Sequence, residues 1–261
     1  MIKVGVLGVG GRMGKEIIAA LAEEPRATLV GGAERPGHPA CGRALGDGLI
    51  VCANATPVAV KADVLIDFSH PAALFEHLRA AVEGQSAILV GTTGLDGTHQ
   101  QAIERAARDV AVLQTANTSL GVTVLAGLVR RAASALGPGW DIEIVEMHHR
   151  HKLDAPSGTA LLLGEAAARG RGFSLEELRL PPADERRNPR REGGIGFASL
   201  RGGTVAGNHE VILAGPGERI SLGHVAESRA VFARGAVTAA LWLAGQPAGR
   251  YRMEDLFSGD A

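Results

Sequence analysis

Aromatic side chains are nearly missing from this chain, at 3% of 261 residues. Recognition by stacking, as when single-stranded nucleic acid lies on aromatic platforms, is therefore not expected. Cysteine is as scarce. Cys41 and Cys52 are too few for a disulfide framework, which fits a reducing cytoplasm. No apolar run is long enough to cross a membrane. Charge of one sign is not in excess either, the net charge being −1, so neither nucleic acid nor an anionic membrane is expected as a partner. Strand-like MIKVGVLG opens at the first residue, leaving no room for a signal peptide, and a cytoplasmic location is expected. No low-complexity tract or internal repeat is apparent.

What is present is apolar residue and glycine, at 46% hydrophobic and 36 glycines. A chain of this size can bury a substantial core in one or two domains. The stretch IKVGVLGVGGRMG is a short strand followed at once by Gly8, Gly10, Gly11 and Gly14. A helical run, KEIIAALAEE, comes next, with Ile17, Ile18 and Leu21 on one face. Glycines at such a turn let the main chain approach a pyrophosphate, which the helix start then binds. Met13 stands where the third glycine of G-x-G-x-x-G belongs, so the match is imperfect, and the spacing offered is Gly8, Gly11, Gly14. The strand ATLVGGAER then ends at Glu34, placed as the carboxylate that binds a ribose hydroxyl. Gly8, Val9, Gly10, Gly11, Arg12, Met13, Glu34 and Arg35 are the candidate dinucleotide contacts. Arg12 is a phosphate or adenosine contact or a solvated surface residue. Glu34 favours NADH and Arg35 accommodates the 2′-phosphate of NADPH, so the cofactor is NADH or NADPH.

After a Gly-, Pro- and Ala-rich loop with short elements over 36–60, ADVLIDFS reads as a strand and HPAALFEHLRAAVEG as a helix. SAILVGTTG is a strand, GTHQQAIERAARD a helix, and VAVLQTANTSLGV a strand running into a turn. This alternation predicts a parallel sheet covered by helices, an α/β Rossmann-like domain. VLAGLVRRAASAL (124–136) is an amphipathic helix. Three strands separated by glycine-rich turns follow later, over GIGFASLRGG, VAGNHEVILAGPG and RISLGHVAES, and predict a second, α+β domain with an open mixed sheet. AVFARGAVTAALWLAG is a closing helix with Phe232, Val237, Leu241 and Leu243 as core candidates.

Between the helix at 124–136 and those strands lies DIEIVEMHHRHKLDAPSGTALLLGEAAA (141–168). Ile142, Ile144 and Val145 through Met147 suggest a half-buried strand that delivers His148, His149, Arg150, His151 and Lys152 to a sheet end. Pro156 suits the first turn of a helix, Ser157 or Asp154 can cap it, and the N–H groups of Ser157, Gly158 and Thr159 would be free to bind an anion. A cluster of donors beside a helix start points to a small substrate carrying carboxylates. Two other readings stand beside this one. His148, His149, His151 and Asp154 could ligate a metal, although Arg150 and Lys152 among them disfavour a divalent cation and none is expected. The cluster is otherwise a solvated basic turn. Arg186, Arg187, Arg190 and Arg191 either steer an acidic substrate or belong to a solvated loop.

The segment VEMHHRHKLDAPSGTA, with the glycine loop, Glu34–Arg35, IDFSHP and GTTG in order, resembles the dihydrodipicolinate (4-hydroxy-tetrahydrodipicolinate) reductase family. The resemblance implies reduction, by NADH or NADPH, of a hydroxylated cyclic imine dicarboxylate in the diaminopimelate route to lysine. It implies His148 as proton donor or acceptor and Lys152 as proton donor, with His149, Gly158 and Thr159 holding substrate. It puts Gly91, Thr92 and Thr93 beside the nicotinamide ribose and makes Thr115, Ala116, Asn117 and Thr118 the last cofactor segment. Thr118 departs from the family, which often has an aromatic residue there. The implied domains are 1–119 with 230–261 for the dinucleotide and 120–229 for substrate and oligomerisation, in a homotetramer. Another two-domain NAD(P)-dependent oxidoreductase of amino-acid metabolism and a non-catalytic dinucleotide sensor remain as alternatives.

Overall fold

The structure, a computed structural model, describes residues 1–182 and 189–258. The chain opens with β1 (Ile2–Leu7), α1 (Arg12–Ala22) and β2 (Ala27–Ala33). A hairpin of β3 (Ala44–Gly46) and β4 (Leu49–Cys52) follows, turning through Asp47 and Gly48, both at positive φ. Then come α2 (Thr56–Ala59), β5 (Val64–Asp67), α3 (Leu74–Gly84), β6 (Ala87–Val90), α4 (Gly97–Ala106) and β7 (Ala111–Gln114). Every residue of β5 and β6 is buried, which is why these strands read as unbroken apolar runs: a parallel sheet is covered on both faces.

Next are α5 (Leu120–Leu136), β8 (Asp141–His148), α6 (Gly158–Gly170), the short α7 (Leu175–Leu178), β9 (Ile195–Arg201), β10 (Gly207–Gly215) and β11 (Glu218–Ala226). The helix expected from residue 124 begins four residues earlier, because the Asn117 side chain accepts the Ser119 N–H at 2.8 Å and turns the chain there. The last segment is α8 (Ala230–Leu243) and β12 (Gly249–Tyr251). β12 escaped the sequence reading because three residues carry too little periodicity.

The chain divides into two compact units, Met1–Leu120 with Ala230–Ala261, and Gly121–Arg229. In the first, the sheet order is β12-β7-β6-β5-β1-β2-β4-β3, parallel except for the edge hairpin. The chain winds outward from β1 through β2 and β4, then returns to β5 on the other side, so the order reverses between β1 and β5. In open α/β sheets ligands bind outside the strands' carboxyl ends at such a reversal. α8 joins this core through small residues, Ala233, Ala236, Ala239 and Ala240, beside Val237 and Leu243. Phe232 and Leu241, also expected in the core, are only half-buried, because alanines bring this helix close to its neighbours. The approach is tightest at Gly235, where a Cβ would stand 1.8 Å from the Thr118 carbonyl oxygen.

The second unit is a mixed sheet, β11-β10-β8-β9, with β8 parallel to β9 and antiparallel to β10. Ile142, Ile144, Ile195, Val211 and Leu213 meet Leu125, Val129, Ala160, Leu163 and Ala167 of α5 and α6. Among the described residues, no helix is long and apolar enough to cross a membrane.

Candidate active site

Gly8 sits at φ +85°, a conformation suited to glycine, and a Cβ there would meet the Phe68 carbonyl oxygen at 2.9 Å. A Cβ on Gly14 would stand 2.3 Å from the Gly8 carbonyl oxygen. The close contact between loop and helix is thus made by Gly14, one residue beyond the motif's third glycine. Gly14 lies in the first turn of α1, whose N-cap Gly11 is extended and whose first turn has no acidic side chain. Its first amides are left for an anion. A cleft of about 530 Å³ opens here, lined by Gly8, Gly10, Gly11, Glu34, Arg35, His38, Phe68, Ser69 and His77 among others. The Glu34 carboxylate accepts the N–H groups of Gly10 and Arg35, each at 3.0 Å. A side chain on Gly10 would collide with the His38 ring. This main-chain cradle fits a dinucleotide.

Other expected contacts lie elsewhere in the first unit. Val9 is a core residue, Met13 is packed against the same core, and Arg12 is an exposed first residue of α1. Gly91 follows β6 because any Cβ there would strike the Phe68 ring at 2.3 Å. Thr92 is buried, its hydroxyl without a hydrogen-bond partner among the described residues, while Thr93 is exposed. Thr115 donates its hydroxyl to the Asn117 carbonyl at 2.7 Å and so shapes the turn carrying exposed Ala116. Thr118 is buried, and its hydroxyl donates to the Phe232 carbonyl at 2.7 Å. Its side chain therefore secures α8.

One pair beside the cleft was not anticipated. Asp67, fully buried at the end of β5, meets His77 Nδ1 at 2.9 Å and accepts the Ser69 N–H at 2.9 Å. Burial opposes charge on His77, yet the hydrogen bond to Asp67 and the charges of Asp67, Glu76 and Glu34 outweigh it and raise its pKa.

In the second unit β8 alternates strictly, with Ile142, Ile144, Glu146 and His148 inward. The strand thus carries two polar residues into the core phase, and the sequence reading missed Glu146 there. Glu146 is 1% exposed. Its Oε2 accepts from His148 Nδ1 at 2.5 Å and from Arg201 Nη1 at 2.9 Å. Its Oε1 accepts from Arg201 Nη2 at 2.8 Å and from the Ser157 N–H at 3.3 Å. Burial pushes the Glu146 carboxyl up, but hydrogen bonds from Arg201, Ser199 and His148 overcome it and hold the group at about 2. Glu146 is therefore ionised at neutral pH, can only accept, and requires the proton of neutral His148 to sit on Nδ1. The other ring atom, Nε2, is the one that can exchange a proton. A Cβ on Gly207 would come within 3.0 Å of it, so glycine there keeps Nε2 approachable.

His209 lies edge-on to His148 with ring centroids 5.1 Å apart, and its Nε2 is 3.0 Å from Ser157 Oγ. Burial, followed by the charge of His148, pushes His209 down to about 4, so it stays neutral beside its neighbour. Lys152 Nζ pairs with Asp154 at 2.8 Å, and that pair is more than half open to solvent on the Asp154 side. His149 Nε2 receives Arg229 Nη2 at 3.2 Å, and desolvation, then the charge of Arg229, lowers its pKa.

The helix start differs from expectation in two ways. Ser157 is the N-cap of α6, its Oγ accepting the Ala160 N–H at 3.1 Å. Pro156, in a cis peptide, therefore precedes the cap and is not in the first turn. The Ser157 N–H is not free, since it donates to Glu146; Gly158 is exposed and Thr159 half-buried at the beginning of the helix. Arg190 does not stand in solvent: it pairs with Asp141 and Glu143 and donates to the carbonyls of Ile142 and Gly194, bracing β8. Arg191 donates to the Glu177 carbonyl at 2.6 Å. Arg186 and Arg187 lie outside the described residues. Among the described residues, no three His, Cys, Asp or Glu side chains gather as a metal site.

Two family profiles match the chain. One, described as "Dihydrodipicolinate reductase, N-terminus", covers residues 2–118, and the other, "Dihydrodipicolinate reductase, C-terminus", covers residues 121–257. A 4-hydroxy-tetrahydrodipicolinate reductase of Zymomonas mobilis is 54% identical over 258 residues, covering 98% of this chain and 96% of its own. The same-named protein of Parvibaculum lavamentivorans is 49% identical over 263 residues, covering 98% and 97%. A dipicolinate-bound dihydrodipicolinate reductase from a Paenisporosarcina superposes with a TM-score of 0.80 at 24% identity, over 98% of this chain and 99% of that one. The last likeness is one of fold.

Proposed function

Because the chain belongs to the dihydrodipicolinate reductase family, we propose that its two units divide the labour of one reduction. The reaction is that of 4-hydroxy-tetrahydrodipicolinate to tetrahydrodipicolinate in the diaminopimelate route to lysine, with a nicotinamide cofactor and a dicarboxylate substrate. On this proposal residues 1–119 with 230–261 hold the dinucleotide, and 120–229 hold substrate and subunit contacts. The cradle at Gly8, Gly10, Gly11 and the start of α1 takes the pyrophosphate. Glu34 and Arg35 at the cleft rim take the adenosine ribose, as a free diol in NADH or a 2′-phosphate in NADPH. Gly91–Thr93 and Thr115–Asn117 follow parallel strands and carry the remaining contacts. The exposed Val225 and Ile220 of β11 favour assembly through this sheet, as a homotetramer.

When bound, the dinucleotide supplies a hydride. The chain's own residues do the rest. Loss of water leaves a conjugated imine, hydride adds at the carbon that bore the hydroxyl, and the electron-rich product of that addition must take up a proton. His148 Nε2 exchanges protons at this site, and Lys152 supplies a further ammonium donor as negative charge builds. Gly158 and Thr159 offer the helix start to a carboxylate, with His149 alongside.

The observation that carries the reading is His148 held through Nδ1 by an ionised carboxylate, with Nε2 left open. Pyridine-2,6-dicarboxylate should compete with substrate and not with dinucleotide, and pyridine-2-carboxylate should inhibit far more weakly. Equal inhibition by the two acids would remove the carboxylate pocket from α6.

A further inference from the structure

We infer that Glu146 and Arg201 are the positioning pair of this active site, holding the proton group, the lysine loop and the anion-binding helix in one register. The inference rests on the assignment of His148, Lys152 and the α6 start proposed above. The Glu146 carboxylate is surrounded by donors: two from the Arg201 fork, one from His148 Nδ1, one from the Ser157 main chain and one from the Ser199 side chain. Ser157 is the residue from which α6 springs. Arg201 continues outward, donating Nε to the Lys152 carbonyl at 3.2 Å and Nη2 to the Asp154 carbonyl at 2.6 Å. Both ends of the 148–157 loop are thus fixed to one buried ion pair, together with the backbone that carries Lys152.

An amide cannot replace this carboxylate. A glutamine has one accepting and one donating end, while the protein presents donors to both. In one orientation its NH2 faces Arg201 and Ser157. In the other it faces His148 and the second Arg201 nitrogen, and drives the imidazole to the tautomer protonated on Nε2, with a bare Nδ1. An aspartate retains the charge but cannot reach all of these donors. In another enzyme class, amide replacement of the carboxylate that orients a catalytic histidine lowers turnover about ten-thousandfold through the wrong tautomer.

The test compares Glu146→Gln, Glu146→Asp, Arg201→Lys and His148→Gln in the full-length protein. Turnover per folded molecule, KM, and the histidine 15N resonances are measured, with the His148 signal identified by its loss in His148→Gln. For Glu146→Gln, kcat is expected to fall about a hundredfold or more, while the neutral His148 resonance moves from the Nδ1–H to the Nε2–H pattern. Glu146→Asp should recover part of the rate and the original tautomer. Arg201→Lys, which keeps the charge and loses the fork, should reduce kcat about tenfold or more and serves alone if Glu146→Gln does not fold. A residue important only for stability would lower the melting temperature and leave tautomer and turnover per folded molecule alone, which would overturn the inference. If His148→Gln itself turns over normally, the assignment of His148 falls and the inference with it. If only His148→Gln loses activity, the assignment stands and the pair is not its positioner.

Discussion

The two units prepare their sites with different parts of the polypeptide. In the first, the main chain does the work: Gly8, Gly10 and Gly14 bring carbonyls and amides where side chains would block them, and the Glu34 carboxylate is hydrogen-bonded to the loop itself. In the second, side chains do it. Glu146, Arg201, His148, Ser157 and His209 form a buried polar network whose members are all hydrogen-bonded. A main-chain cradle recognises what every dinucleotide shares, whereas a side-chain network fixes one proton on one atom. The first design is sensitive to volume and the second to charge and tautomer, and that difference can be broken experimentally.

The largest effect is expected in the second unit. Replacing His148 with Gln, or Lys152 with Ala, should lower the maximal rate by about a hundredfold to ten-thousandfold. Dinucleotide affinity should hardly change. Melting should change little for Lys152→Ala, because its pairing with Asp154 is solvent-exposed and such pairs contribute little. Parallel measurements of turnover, NADH affinity and melting temperature check this; a variant that melts early yet turns over normally when folded would sink the assignment.

In the first unit, volume should matter most. A methyl on Gly14 has nowhere to go, facing the Gly8 carbonyl at 2.3 Å and Val9 Cα at 2.7 Å. Gly14→Ala should destabilise the protein by about 1–3 kcal/mol and weaken both cofactors together. Gly11→Ala, exposed and with its nearest atom at 3.3 Å, should do much less. Urea unfolding of the pair decides it, and equal losses would mean that the cradle is not volume-limited.

The narrowest effect, confined to one cofactor, separates the two. Arg35→Ala should weaken NADPH and spare NADH, since a lost charge-assisted contact is worth about 1.5–3 kcal/mol, or roughly tenfold or more in affinity. Equal losses on titrating both would remove Arg35 from the 2′-phosphate.

Sequence reading reached the first unit better than the second for a physical reason. Glycine spacing, strand–helix alternation and the position of Glu34 are local, so the Rossmann-like sheet and its loop were legible in order along the chain. So was the strand that ends at His148. Glu146 was legible in principle, because it shares the inward phase of Ile142 and Ile144, but a strand is scanned for apolar residues and a carboxylate in that phase is passed over. Arg201 was not legible: 55 positions separate it from Glu146, and nothing local in SLRGG sets it apart from other arginines. Pro156 was misplaced because a proline before Ser-Gly-Thr fits either side of a cap, and only the Ser157 bond to Ala160 fixes the boundary. The fate of Thr118 depended on α8, more than a hundred residues downstream.

That last contact bears on how the protein is made. The core of the first unit takes Ala233, Ala236, Val237, Ala239, Ala240 and Leu243 from α8, and its sheet takes an edge strand from β12. Residues 1–120 emerge from a ribosome first, yet they lack this part of their hydrophobic interior until residues 121–229 have also been synthesised. At ordinary elongation rates that interval is on the order of ten seconds. At its end the second unit has all of its core residues, while the first still lacks α8 and β12. The nascent chain should therefore complete its second unit before its first, and the first 120 residues expressed alone should expose the apolar faces that α8 covers.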